Sequence, residues 1–154
     1  MRFDDYLFMK GVKEMMERMI DYLGPIQMYV GILRNYFSNE ELDEFDVWYL
    51  KFYEKFEAFI FNELNNPTSE INRLMKEYGE LLVEYENSTL NLCLEAIKDS
   101  YQHRHMYLEG KREVYLRYLN EVCHVDGKEL LENMSSEAFE QFEKEIFQKK
   151  KPTF

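Results

Sequence analysis

The chain has 154 residues, with 12 Phe, 12 Tyr and 1 Trp against only 6 Gly and 3 Pro, and its 30 acids outnumber 19 bases for a formal charge of −11 and a pI near 4.8. Apolar residues make up 45%, which excludes a disordered chain. The scarcity of Gly and Pro excludes a turn-rich β-sandwich or barrel.

From the N-terminus, Asp4 and Asp5 precede a helical run of Tyr6, Val12, Met15, Met16, Met19 and Leu23. Gly24-Pro25 is expected to close it, because Pro removes a backbone donor and clashes with the preceding turn. A shorter helix with Met28, Tyr29, Ile32, Leu33 and Tyr36 should follow. Ser38 and Glu41 spell a capping box, which predicts a helix from Ser38 to about Asn65. Its stripe of Leu42, Phe45, Tyr49, Phe52, Phe56 and Phe59 alternates gaps of three and four, widened by Trp48 and Ile60. Asn65-Asn66-Pro67 ends it, and Asn66 or Thr68 is the expected cap of the next helix.

The stripe resumes at Ile71, Leu74, Tyr78, Leu81 and Tyr85, and again from Leu94 through Ile97, Tyr101, Leu108, Tyr115, Leu119 and Val122. Unbroken, a helix over 69–123 would be roughly 80 Å long, too long for a compact domain of this size. A bend is expected at Asn87-Ser88-Thr89 or at Gly110, an extended rod being the alternative. Val125-Asp126-Gly127 marks a turn, Ser135 or Ser136 caps a last helix with Phe139, Phe142, Ile146 and Phe147, and Lys149 to Lys151 and Pro152 finish it. The fold class read from these elements is all-α: one domain over 1–154, a bundle of five to six helices with one long, bent member over about 69–123.

No stretch is apolar enough to cross a membrane, and acids stand where a secretory signal would be basic and then apolar. Cys93 and Cys123 form no CxxC, so neither a disulfide scaffold nor a cysteine-built zinc site is indicated. A reduced, cytoplasmic protein is expected. Residues 1–77 hold 15 acids and 9 bases and residues 78–154 hold 15 and 10, an even spread that disfavours nucleic acid and anionic lipid as partners.

Chemistry-bearing constellations are few. Glu121 and His124 make an E-x-x-H, the spacing that places a carboxylate and an imidazole together in di-iron bundles, but no second copy exists and no metal is expected. His103 and His105, two apart on a helix, point away from each other and cannot grip one ion. No phosphate-binding or hydrolase motif occurs, and no cofactor is expected. Cys123 beside His124 diverges by about 100° on a helix and makes no dyad. From Lys98 to Arg117, cations alternate with Tyr101, Tyr107 and Tyr115, a pattern equally at home on a solvated helix with pairs such as Glu113–Arg117.

Arg117 and His124 have six residues between them, ahead of the Asp126-Gly127 turn. This spacing resembles the R-x4–6-H signature of HEPN-domain ribonucleases, which are also small helical bundles. The resemblance implies that Arg117 would hold a phosphate and His124 would move protons at a 2′-hydroxyl, with two copies meeting across a dimer. It covers two residues, and Tyr118 replaces the polar residue that usually follows that Arg.

The excess of aromatic and Met surface points instead to a non-enzymatic module acting through protein contacts and self-association. The expected interface residues are Trp48, Tyr49, Phe52 and Phe56, with Tyr101, Tyr115 and Tyr118 as a second set. A bundle enclosing a small apolar ligand, as sensor domains do, is a further alternative.

Overall fold

The computed structural model describes residues 3–86 and 104–145; among these it is all-α, with six helices and no strand. They are α1 (Phe3–Tyr36), α2 (Glu44–Asn65), α3 (Glu70–Glu86), α4 (Arg104–Glu121), α5 (Gly127–Glu132) and α6 (Ser136–Glu145), with a 3-10 turn at Asn39–Glu41. Asn87-Ser88-Thr89, Cys93, Leu94, Ile97, Tyr101, His103, Ile146, Phe147 and the lysines from 149 to 151 lie outside the described residues.

α1 runs unbroken through Gly24-Pro25, 34 residues and roughly 50 Å, where a break is expected from local rules. Pro25 is exposed, and so is Asp21, whose carbonyl loses its usual donor to the proline. Met19 before it and Ile26, Val30 and Leu33 after it are all buried, and that burial on both sides holds the helix together.

The Ser38–Glu41 box forms: Glu41 Oε1 accepts from the Ser38 N–H at 3.0 Å and the Ser38 hydroxyl at 2.9 Å. It caps only the 3-10 turn, because Leu42 is extended. α2 starts later, on a second box in which Asp43 accepts from the Asp46 N–H at 2.8 Å and Asp46 from the Asp43 N–H at 3.4 Å. Two adjacent capping boxes thus compete for one helix start, and the one nearer the aromatic stripe opens α2. α2 ends at Asn65, and Asn66 accepts from the Thr68 N–H and hydroxyl in an Asx turn. Pro67 and Thr68 stay in that turn, so Ser69, not Asn66 or Thr68, adjoins the start of α3.

The alternative of an unbroken rod over 69–123 is overturned by one carboxylate. Glu63 accepts from the Ser69 hydroxyl at the start of α3 and pairs with Arg117 near the end of α4, 3.9 Å away. On a continuous helix those two residues would stand roughly 70 Å apart. α3 and α4 therefore run in opposite directions, both against α1 and α2.

Gly110 is no break either. α4 runs through it, and it meets Gly11 of α1 where the two helices cross. A methyl at Gly11 would overlap the Tyr107 carbonyl, and one at Gly110 the Phe8 carbonyl. Glycine is required at both points because backbone lies against backbone. The core gathers around this crossing: Tyr6, Leu7, Met9, Val12, Met15, Met16 and Met19 of α1 with Phe56, Phe59, Ile60, Ile71, Tyr115, Tyr118 and Leu119.

Beyond α4, left-handed His124 lets the Val125 N–H return to the Leu119 carbonyl at 3.0 Å. Asp126 then caps α5, a short helix with no counterpart in the sequence reading, by accepting from the Glu129 N–H at 3.2 Å. Ser135 accepts from the Ala138 N–H at 3.1 Å and opens α6.

Candidate interaction face

Arg117 and His124 occupy different environments. Arg117 is half-buried, its Nε donating to Glu113 at 3.3 Å and its guanidinium reaching Glu63. His124 is exposed in the turn, and no contact joins it to Arg117 among the described residues. Arg117 serves a buried polar cluster that the sequence did not signal. Glu63 is only 1% exposed, although a Glu on an acidic helix reads as solvated. Ser69 lies 2.5 Å from its carboxylate, and Asn72 beside it donates to the Leu64 carbonyl. Glu121 nearby is pushed above the usual carboxylate range by burial and then by the Glu63 charge, with Arg117 opposing.

Burial also pushes the Cys123 thiol up, making it a weaker nucleophile at neutral pH. Among the described residues, no group of three or more His, Cys, Asp or Glu side chains is arranged to hold a metal ion.

The aromatic residues expected at an interface divide. Tyr49, Phe56, Tyr115 and Tyr118 are buried in this chain's own core, and Tyr101 lies outside the described residues. Phe56 and Tyr118 pack edge to face at 5.6 Å, and the Tyr118 phenol is raised well above its ordinary value by burial. Only Trp48 and Phe52 keep part of their surface exposed. They stack at 5.4 Å and continue into Phe56 at 5.7 Å, a ladder running from surface to core. Phe45 and Trp48 line a surface groove of about 610 Å³ with Val47, Lys51, Asp43 and Glu44.

The larger apolar exposure is on α1. From Tyr22 to Leu33 no residue carries a charge, the longest such stretch in a chain that is 32% charged. A helix uncharged all round normally lies wholly inside a protein. Here Val30 and Leu33 do, while Ile20, Met28 (73% exposed), Ile32 and Tyr36 (79%) face out on a ridge of four-residue steps that Gly24 completes. Gly24 and Gly31 have open space where a side chain would go. Gln27 donates to Glu57 at 3.3 Å and Arg34 to Glu54 at 3.1 Å, so α2 flanks this ridge. Between them a groove of about 520 Å³ is lined by Leu23, Ile60, Phe61 and Leu64, with Phe61 68% exposed. The signal for this face was the uncharged run, which helical periodicity alone does not rank.

No helix among the described residues is long and apolar enough to cross a membrane. Compared with protein-family models, curated proteins and solved structures, the chain matches none of them.

Proposed function

We propose that this chain is a non-enzymatic interaction module that self-associates through the exposed face of α1 from Ile20 to Tyr36. The observation that carries the proposal is the uncharged run Tyr22–Leu33, five of whose twelve residues are exposed. The partner is a second copy, and the positions along the helix argue for it. In an antiparallel pair with its two-fold axis between Gln27 and Met28, Gly24 meets Gly31 of the partner subunit and Asp21 meets Arg34 of the partner subunit. Two glycines with open space then allow close approach, the use this chain makes of Gly11 and Gly110. Opposite charges at both ends fix the register.

Sedimentation equilibrium at low and high concentration tests this. Wild type should be a dimer, and Met28→Lys with Ile32→Lys should be an 18.9 kDa monomer with an unchanged circular dichroism spectrum. A wild type that stays monomeric up to several hundred micromolar would overturn the self-association.

A further inference from the structure

Five of the seven residues from Glu40 to Asp46 are acids, and no base stands between Arg34 and Lys51. Three of these carboxylates are engaged within the fold. Glu41 accepts from Ser38, Asp43 and Asp46 cap α2 for each other, and Asp46 accepts from the Tyr29 hydroxyl at 2.7 Å. Glu44 is exposed and has no hydrogen-bond or ion-pair partner among the described residues, and neither does Lys51 two turns on. Asp43, Glu44 and Lys51 share the lining of the 610 Å³ groove with Phe45, Val47 and Trp48.

The rings of that groove are held in place from within. Trp48 stacks on Phe52 at 5.4 Å, and Phe45 packs 5.7 Å from both Trp48 and Tyr49. Tyr49 in turn is closed edge-on by Tyr29 of α1 at 5.0 Å. Elsewhere in the described residues, cations of this chain stand over the rings of Tyr6, Tyr22, Tyr53, Tyr107 and Phe139, at 4.9 to 5.9 Å. None stands over Phe45 or Trp48, although an indole attracts a cation more strongly than a phenol or phenyl ring does. An unpaired carboxylate and an indole without a cation thus border one preformed groove.

We propose that this groove docks a basic segment of another protein, with an arginine side chain against Trp48 and Phe45 and its guanidinium at Glu44. Charge decides the class of partner. The local acids and the net charge of −11 both attract a cationic segment and repel an acidic peptide, a phosphate backbone or anionic lipid. A planar guanidinium suits the site because it can stack on a ring and donate to a carboxylate at once. Lys51 is the one base in the lining and opposes the ligand. No lining residue belongs to α1, so this docking does not depend on self-association through that helix.

Trp48 is the only tryptophan of the chain, so its fluorescence reports the groove directly. The dilute full chain is titrated with a blocked hexapeptide of alternating glycine and arginine. A saturable change in Trp48 emission is expected, and the counterpart with glutamate in place of arginine should give none. Glu44→Lys should weaken binding about tenfold and Lys51→Glu should strengthen it by about as much. Glu80→Lys makes the same change in net charge on α3, whose Tyr78 feels the Asp5 charge at the opposite end of α1, and should alter binding by no more than about twofold. Trp48→Leu, read by anisotropy of the labelled peptide, should lose about fivefold. Three results would overturn the proposal: no saturable change, equal weakening by Glu44→Lys and Glu80→Lys, or equal binding of the glutamate peptide. A second copy seated in the groove would overturn it as well, seen as Trp48 emission that changes when Met28→Lys, Ile32→Lys protein is concentrated without peptide. Should Trp48→Leu fail to fold, the comparison of Glu44 with Glu80, both exposed, decides by itself.

Discussion

The two halves of α1 share one helix, yet the tertiary structure uses their apolar residues in different ways. In the first half Tyr6, Leu7, Met9, Val12, Met15, Met16 and Met19 are buried, and Gly11 is pressed against α4. In the second half Met28, Ile32 and Tyr36 face out, and a methyl at Gly24 or Gly31 would meet no atom of the described residues. A mid-helix glycine is less favourable than alanine by about 1 kcal/mol. At Gly11 that loss is offset by close helix contact within the chain; at Gly24 and Gly31 nothing among the described residues offsets it. The difference separates a face already used for folding from one that the fold leaves exposed.

Substitutions can break this comparison. Gly11→Ala or Gly110→Ala forces a methyl into backbone and should cost on the order of 4 kcal/mol or more, read as a lower urea midpoint or failure to fold. Met16→Ala should cost about 2–3 kcal/mol by leaving a cavity among flexible Met neighbours. Met28→Ala, at a site that is largely solvent, should stay within about 0.5 kcal/mol in dilute protein. Gly24→Ala should reverse sign: at concentrations where the chain is monomeric it should stabilise by up to about 1 kcal/mol, and it should weaken self-association. Equal losses at Gly11 and Gly24 would erase the distinction between the halves.

A further effect is expected in alkali. Burial and then a hydrogen bond to Asp46 push the Tyr29 phenol from its ordinary 10 up to about 12, and Tyr53, Tyr115 and Tyr118 shift in the same direction. The folded state keeps protons that the unfolded chain loses first. The resulting stability is complete below pH 10 and is lost as pH rises toward 12. Thermal melts between pH 8 and 12 should show this fall, and Tyr29→Phe should make it shallower.

Much of the helical pattern was legible. The end of α2 at Asn65, the Ser135 cap of α6 and the Glu113–Arg117 pair follow from local chemistry and are present. The candidate site was harder to read. Tyr49, Phe56, Tyr115 and Tyr118 have the composition of an interface but fill the core, and nothing at their own positions distinguishes the two uses. Glu63 reads as one more surface acid because its partners, Ser69 and Arg117, come from two other segments.

By itself the sequence determined the secondary structure class: periods of three and four, few Gly and Pro, and caps at most helix boundaries leave an all-α chain. Only the tertiary structure decided that α1 passes through Pro25, that α3 and α4 run in opposite directions, and which apolar stripe stays outside. The reason is physical. Periodicity reports that a helix has an apolar face, whereas burial depends on whether another helix, distant in the chain, comes to lie on it.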